Sequence, residues 1–237
     1  MELNFHNWFN FLFDFHYIMS KLHIDSIQKS YDNKPVLTDT FISCKTGEII
    51  GLLGRNGSGK TTLMQIVFGS LQAENKYINV DGKILHNLFD NRNIIHFLPQ
   101  FDFLPQHIKI KTIISLFCDK ESTKKLIENP IFKPLLNRKI NKLSGGEKRI
   151  VSVYALLYSN AEFILLDEPF NGIAPIQREE IQKIILEQSP NKGIIISDHD
   201  YRSVLEIATK IILLHDGGTK IINDQNELIE WGYLSGI

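Results

Sequence analysis

One glycine-rich segment has the residue types and the spacing of a phosphate-binding loop. The stretch GRNGSGKT, Gly54 to Thr61, fits the pattern G-x-x-x-x-G-K-[ST], with an apolar run before it and helical spacing after it. Lys60 would reach the β- and γ-phosphates of a nucleotide, and the Thr61 hydroxyl would bind Mg²⁺. The structural alternative is a glycine-rich turn with a surface lysine. The predicted binding residues are Gly54, Arg55, Asn56, Gly57, Ser58, Gly59, Lys60, Thr61 and Thr62.

Two adjacent acids stand at the end of a second apolar run. In FILLDE, Phe163 to Glu168, four apolar residues predict a buried strand, and Asp167 follows them directly. Asp167 would hold Mg²⁺ through a water molecule, and Glu168 would accept a proton from an attacking water as general base. Taken alone, the pair also fits two solvated acids at a strand end. The phosphate loop in the same chain favours the catalytic interpretation.

A third segment, LSGGE, combines a helix-start pattern with two glycines. Ser144 and Glu147 are three residues apart, which is the spacing of a capping box. A helix start that carries glycine also exposes backbone N–H donors, and these can bind an anion. The residues by themselves leave both interpretations open.

The elements that must position these residues alternate along the chain. Short apolar runs end at Leu53, at Asp167 and just before His199, and a further run spans 209–218; helical spacing separates them. Strands alternating with helices predict an α/β fold with a mostly parallel sheet. The middle of the chain has no strong strand pattern and is broken at Pro130 and Pro134. We expect an inserted helical lobe over about 101–160.

Composition narrows the function classes. The 237 residues are 43% hydrophobic and 22% charged, with a formal net charge of −1, so no bulk positive charge attracts nucleic acid. Cys44 and Cys118 are far apart and outside any metal-binding spacing, which favours reduced thiols. No apolar run reaches the roughly 18–20 residues of a membrane-spanning helix. We therefore expect a globular protein that does not cross a membrane by itself.

Taken together, the motifs resemble the ATP-binding cassette (ABC) family. LSGGE, Leu143 to Glu147, is similar to the signature sequence of that family and stands between the phosphate loop and the FILLDE strand, as the family requires. Gln100 in FLPQ resembles the glutamine loop, and His199 in IIISDH resembles the histidine switch. Tyr31 in KSYDNKPVL resembles the aromatic residue that stacks on adenine. The resemblance covers essentially residues 21–216.

The resemblance implies a P-loop NTPase fold that uses ATP and Mg²⁺. Its mostly parallel sheet core would carry an antiparallel β subdomain and the inserted helical subdomain, in a single domain over residues 19–237. The implied catalytic residues are Glu168, His199, Lys60 and Gln100, and the implied metal-binding residues are Thr61, Gln100 and Asp167. Ser144, Gly145 and Gly146 would bind the ATP held by a second subunit.

The implied partners are a second copy of the chain and a membrane protein. Two copies would pair head to tail as a homodimer, and the segment FDFLPQHI, 101–108, would dock a separate integral membrane transporter subunit. The chain would then lie in the cytoplasm, peripheral on the cytoplasmic face of the inner or plasma membrane. The alternative is a soluble ABC ATPase acting on DNA or ribosomes. A single cassette without a coiled-coil insertion, together with near-neutral charge, argues against that alternative and against nucleic-acid binding.

Two features depart from the family pattern. Ala174 in NGIAP stands where the family usually has an Asp that contacts the opposite subunit, which predicts weaker coupling between two ATP sites. The surrounding LLDEPFNGIAPI resembles the subunits that serve lipopolysaccharide export and branched-chain amino-acid transport. Residues 1–18 are rich in aromatics and contain no Lys or Arg. We interpret them as an N-terminal extension, either an upstream segment from a misplaced start or a segment that contacts a membrane or a partner.

Overall fold

The structure is a computed structural model, and it describes residues 19–234. The predicted extension, 1–18, lies outside the described residues. Among the described residues, the chain forms two β-sheets and a set of helices packed against them. The predicted α/β class is therefore confirmed.

A six-stranded sheet carries the site at the carboxyl ends of its parallel strands. Its order is β11-β10-β4-β9-β8-β7, and all neighbouring pairs are parallel except β10 with β11. Because helices or a second sheet cover both faces, the central strands are apolar along their whole length, and every residue of β4, β8 and β9 is buried. The bounds are β4 Ile49–Leu53, β7 Ile95–Leu98, β8 Phe163–Asp167, β9 Gly193–Ser197, β10 Lys210–His215 and β11 Gly218–Ile222.

The second sheet is antiparallel and has one face towards solvent. Its path is β2-β1-β5-β6, and β3 pairs with the other end of β1. In β1, Leu22 and Ile24 are fully buried while His23 between them is partly exposed, as the alternating pattern predicts. The bounds are β1 Lys21–Tyr31, β2 Lys34–Leu37, β3 Phe41–Lys45, β5 Asn75–Val80 and β6 Lys83–Ile84.

Seven α-helices occur in the described part of the chain. They are α1 Lys60–Phe68, α2 Ile110–Phe117, α3 Lys120–Glu128, α4 Gly145–Leu157, α5 Pro175–Gln188, α6 Tyr201–Leu205 and α7 Gln225–Glu230. Helix α1 ends at Gly69, whose φ of 91° is the left-handed conformation that glycine adopts most easily at a helix end. None of these helices is long and apolar enough to cross a lipid bilayer.

Two apolar cores lie on opposite faces of the six-stranded sheet. Alternate residues of β4 divide between them: Ile50 and Leu52 pack towards α1 and the antiparallel sheet, and Ile49 and Leu53 pack towards helices α2 to α5. The second core continues through α4, where every residue from 150 to 157 is buried. This packing fixes α4 against the sheet that carries the two acids.

Candidate functional site

The phosphate loop connects the buried strand β4 to helix α1. Gly54, Gly57 and Gly59 all have positive φ values, which glycine tolerates without strain. Gly59 is required for a second reason: a Cβ atom there would lie 2.8 Å from Cγ1 of Val36. The loop therefore passes close to the segment that follows Tyr31, and a larger residue at position 59 would push the two apart.

Lys60 is buried at the start of α1 and is tied to its own loop. Its Nζ atom donates to the Gly54 carbonyl oxygen at 2.7 Å and to the Arg55 carbonyl oxygen at 3.2 Å. Burial lowers the pKa of Lys60, and the neighbouring carboxylates of Asp167 and Glu168 act in the opposite direction. With two of its three N–H groups used, the ammonium group keeps one donor for a phosphate oxygen.

A cleft brings together most of the predicted site residues. It is lined by Tyr31, Val36, Asn56, Gly57, Gly59, Lys60, Thr61, Thr62, Gln100, Glu168 and His199. Tyr31 stands half exposed, with the Lys29 ammonium 5.3 Å from its ring centroid. Among the predicted loop residues, Arg55 and Ser58 line a different hollow, where Arg55 Nη2 donates to the Gly232 carbonyl oxygen at 2.6 Å. The cleft therefore combines cation, amide and carboxylate groups at the carboxyl ends of the strands.

Asp167 ends strand β8 and is 1% exposed. Its Oδ1 atom accepts a hydrogen bond from Ser197 Oγ at 2.6 Å, whereas its Oδ2 atom is buried and has no hydrogen-bond partner within residues 19–234. An unsatisfied buried carboxylate oxygen is unfavourable unless a cation or a water binds it. Oxygen donors are the ligands that Mg²⁺ prefers, so Asp167 fits the predicted metal role.

Glu168 is held by three side chains. Gln100 Nε2 and Asn171 Nδ2 each donate to Oε2 at 2.8 Å, and His199 Nε2 lies 2.6 Å from Oε1. The Glu168 side chain is only 8% exposed, whereas the His199 side chain is 49% exposed. These contacts fix the carboxylate at the wall of the cleft, where it can accept a proton from a bound water.

The backbone of Glu168 is in a strained conformation. Its φ is 52°, in the left-handed region that non-glycine residues rarely occupy. Such a residue costs of order 1–3 kcal/mol and persists where surrounding contacts hold it. The Glu168 N–H donates to the Ser197 carbonyl oxygen at 2.7 Å, which is one of those contacts.

Three residues that the sequence analysis did not single out support this site. Arg149 donates to the carbonyl oxygens of both acids, Asn171 donates to Glu168, and the buried Asp198 carboxylate accepts from two backbone N–H groups of the flanking loops. Burial raises the pKa of Asp198. The only local signals were position: Arg149 follows LSGGE by two residues, and Asn171 follows Glu168 by three.

The signature residues lie outside the cleft of their own chain. Ser144 is the N-cap of α4: Ser144 Oγ accepts from the Glu147 N–H at 3.2 Å, and Glu147 Oε2 accepts from the Ser144 N–H at 2.7 Å. The predicted capping box is confirmed. Donation by the Ser144 N–H lowers the pKa of Glu147. Ser144, Gly145 and Gly146 do not line the cleft around Lys60, so one chain does not bring all the predicted binding residues together.

The chain is similar in sequence to known proteins. A family model described as "ABC transporter" matches residues 37–171. The chain is 34% identical over 218 residues to the lipopolysaccharide export system ATP-binding protein LptB of Haemophilus influenzae, covering 86% of this chain and 90% of that protein. It is 31% identical over 229 residues to LptB of Escherichia coli strain K12, covering 88% and 95%.

Solved structures share the fold. An ATP-binding subunit of an ABC transporter superimposes with a TM-score of 0.76 at 19% identity, over 91% of this chain and 95% of that chain. A nucleotide-free ATP-binding cassette from an ABC transporter gives a TM-score of 0.75 at 20% identity, over 92% and 96%. The predicted P-loop NTPase fold is confirmed.

The sequence matches carry the assignment, because the family model spans more than half of the chain and the relatives above 30% identity align over most of it. The predicted family is confirmed, and the alternative of a DNA- or ribosome-acting ATPase receives no support. The chain belongs to the ABC transporter family, as an ATP-binding subunit that hydrolyses ATP to power transport.

Proposed function

We propose that Glu168 is the general base of ATP hydrolysis in this chain and that the reaction takes place in the cleft around Lys60. The observation that supports this proposal most directly is the Glu168 carboxylate itself, held by three side chains opposite the phosphate loop. An oriented carboxylate can take a proton from a water molecule while the oxygen of that water attacks the γ-phosphorus atom of ATP. The bond between the γ-phosphorus and the ADP oxygen breaks, and the products are ADP and phosphate.

The remaining cleft residues would bind and orient the nucleotide. The backbone N–H groups of the loop and the Lys60 ammonium would hold the β- and γ-phosphates, and Tyr31 at the rim would stack on adenine. His199, beside Glu168, would donate to the γ-phosphate. Because these donors are in place before the reaction, they stabilise the charge on the transferring phosphoryl group without reorganisation.

A magnesium ion fits the oxygen donors of the cleft together with Asp167, which directly precedes the cleft residue Glu168. Asp167 presents an unsatisfied carboxylate oxygen and Thr61 lines the cleft with a hydroxyl. The Gln100 amide nitrogen is used on Glu168, so its oxygen is the atom left for the metal. Mg²⁺ usually binds to one or two carboxylates together with substrate phosphates, and it supplies charge neutralisation.

Two copies of the chain would complete the site. The N-terminus of α4 lies outside the cleft, and the space around Gly145 is open. Helix N-termini attract anions, because their N–H groups are free and the helix dipole is positive there. In a head-to-tail homodimer, Ser144, Gly145 and Gly146 of one copy would therefore cover the γ-phosphate held by the other.

The chain would serve an export system at the cytoplasmic face of a membrane. Its relatives LptB of Haemophilus influenzae and of Escherichia coli are ATP-binding proteins of lipopolysaccharide export. An integral membrane subunit would dock on the segment 101–108, where Phe101 is 78% exposed. An exposed aromatic side chain next to Gln100 would transmit docking to the residue that contacts Glu168.

Replacing Glu168 with Gln tests the base. The amide keeps the shape of the side chain but cannot accept a proton, so turnover should fall at least 100-fold while ATP binding stays within about threefold. In the presence of ATP, the dimer of this variant should then accumulate. Size-exclusion chromatography with light scattering measures the fraction of dimer. Lys60→Ala is the contrasting variant, since it should lose ATP binding as well. Normal turnover by Glu168→Gln would contradict the proposed base.

Purification from membranes tests the partner. The tagged Glu168→Gln chain, extracted in mild detergent with ATP and Mg²⁺, should carry an integral membrane protein that mass spectrometry identifies. Phe101→Ala alone should reduce the recovery of the membrane protein. Recovery of ribosomes or DNA in place of a membrane protein would contradict this assignment.

A further inference from the structure

One guanidinium group holds two separate segments of the catalytic cleft. Arg149, in the second turn of α4, donates through Nη1 to the Pro99 carbonyl oxygen at 2.8 Å. Its Nη2 donates to the carbonyl oxygens of Asp167 and Glu168, at 2.5 and 2.7 Å. The planar fork of arginine suits such a cluster of acceptors, because its donors point in fixed directions.

The hydrogen bonds of Arg149 end on the backbone groups that orient the Glu168 side chain. Pro99 directly precedes Gln100, which donates to the Glu168 carboxylate. The Glu168 carbonyl oxygen belongs to the residue with the left-handed backbone, so its direction differs from that in a regular strand end. Arg149 thus stabilises a conformation that is unfavourable by itself.

The guanidinium group of Arg149 is mostly buried and stays charged. Burial lowers the pKa of Arg149, while the carboxylates of Asp198, Asp167 and Glu168 raise it. Hydrogen bonds from a charged donor in a low-dielectric site are stronger than neutral ones. A second contact between the same elements, Lys148 Nζ to Asp102 Oδ2 at 2.8 Å, is partly exposed and contributes less.

We propose that Arg149 is a positioning residue that holds Glu168 and Gln100 in their reactive arrangement and connects them to the helix whose N-terminus is the signature sequence. Arg149 does not line the cleft in which the nucleotide would bind. A shift of α4 relative to β8 would pull on the Glu168 carbonyl group directly. The inference rests on the proposed role of Glu168 as base.

The consequence is a separation between binding and chemistry. Removing the guanidinium group leaves Lys60, the phosphate loop and Tyr31 as they are, so ATP affinity should change little. The general base and Gln100 lose their backbone support, and a misplacement of about 1 Å can reduce a rate on the order of 100-fold. A merely structural role would lower stability, affinity and rate together.

The test compares Arg149→Ala and Arg149→Lys with Lys148→Ala. Arg149→Ala should lower kcat about 10- to 100-fold and leave KM for ATP within about threefold. Guanidinium ion at tens of millimolar should restore part of the kcat of Arg149→Ala, whereas the same concentration of sodium chloride should not. Lys148→Ala, on the same turn of α4, should keep kcat within about twofold because its ion pair is partly exposed.

Arg149→Lys keeps a buried cation, so it tests the proposal even if the alanine variant does not fold. Its single ammonium group lacks the planar fork, and kcat should still fall at least fivefold. Wild-type kcat in Arg149→Lys, or a raised KM with unchanged kcat in Arg149→Ala, would overturn the proposal. So would the absence of guanidinium rescue in a folded Arg149→Ala protein. If Glu168→Gln still turns over, the proposed base fails instead, independently of the Arg149 variants.

Discussion

At the residue scale, two buried lysines and one mostly buried arginine donate to backbone carbonyl oxygens. Lys60 binds two carbonyls of the phosphate loop, Arg149 binds three, and Lys192 donates to Ser159 and Ala161 at 2.7 and 2.6 Å. Burial lowers the pKa of each. Carbonyl oxygens replace some of the hydrogen bonds to water that burial removes, and they do not neutralise the positive charge. At Lys60 this leaves the positive charge available to a phosphate.

Lys192 makes the free energy of unfolding of the chain depend on pH. Its pKa falls from 10.5 to about 8 in the folded chain, because burial disfavours the charged amine. Between these values the unfolded chain binds more protons than the folded one, so the free energy of unfolding rises with pH. We expect a gain of about 1–2 kcal/mol between pH 7.5 and 9.5 from this residue, measured by urea unfolding.

The control for this prediction is Lys192→Met. This variant leaves the two carbonyl oxygens without their donor and should be less stable at both pH values. Its change in stability between pH 7.5 and 9.5 should nevertheless be smaller than that of the wild type. Equal changes in the two proteins would contradict the assigned titration.

At the element scale, the two signature glycines have different surroundings. Nothing lies within 4 Å of a Cβ atom built at Gly145, whereas one at Gly146 would lie 2.6 Å from Nε2 of Gln177. Gln177 Oε1 accepts from the Ala174 N–H at 3.1 Å, at the start of α5. Gly146 therefore leaves room for the Gln177 side chain of α5, and Gly145 leaves the helix start accessible.

Alanine at these two positions should change the stability by different amounts. Gly145→Ala should stabilise the chain by up to about 1 kcal/mol, because alanine favours helix and meets no neighbour. Gly146→Ala should gain less than Gly145→Ala, since the Gln177 side chain must move and release the Ala174 N–H. Gly145→Ala should still lower ATPase activity, because the methyl group covers N–H groups proposed to face the second subunit. Equal unfolding midpoints for the two variants would contradict the difference in packing.

At the scale of the whole molecule, the proposed homodimer would contain two ATP sites, and Ala174 bears on how they communicate. Ala174 is the N-cap of α5 and has no side-chain oxygen to offer either its own helix or a partner. The loop from Glu168 to Ala174 connects the proposed general base to this helix. With alanine there, the proposed homodimer would lack one polar contact between its subunits, so its two sites should be weakly coupled.

Ala174→Asp tests this coupling. Aspartate is a strong N-cap residue, so the variant should gain about 0.5–2 kcal/mol in unfolding free energy. If the side chain also reaches the partner subunit, the ATPase rate or the Hill coefficient for ATP should increase. Ala174→Asn is the matched control, since it caps the helix without adding a charge. An unchanged rate together with an unchanged Hill coefficient in Ala174→Asp would contradict the coupling prediction.

The sequence by itself determined the local parts of this protein. The apolar runs predict strands β4, β8 and β9 because strands covered on both faces must be apolar throughout. The glycine spacing of the phosphate loop and the capping box of α4 are also local, since each depends on residues within one turn or loop. These features needed no knowledge of the chain path.

Only the tertiary structure decided which distant groups meet. Arg149 lies 50 residues from Pro99 and 19 from Glu168, and no periodic pattern relates three such positions. The same holds for Gln100, which reaches Glu168 across 68 residues. Nor could local spacing predict that Ser144 lies outside the cleft of its own chain. Such contacts follow from the order of strands in the sheet and from the packing of α4 against it, which are set by the whole core.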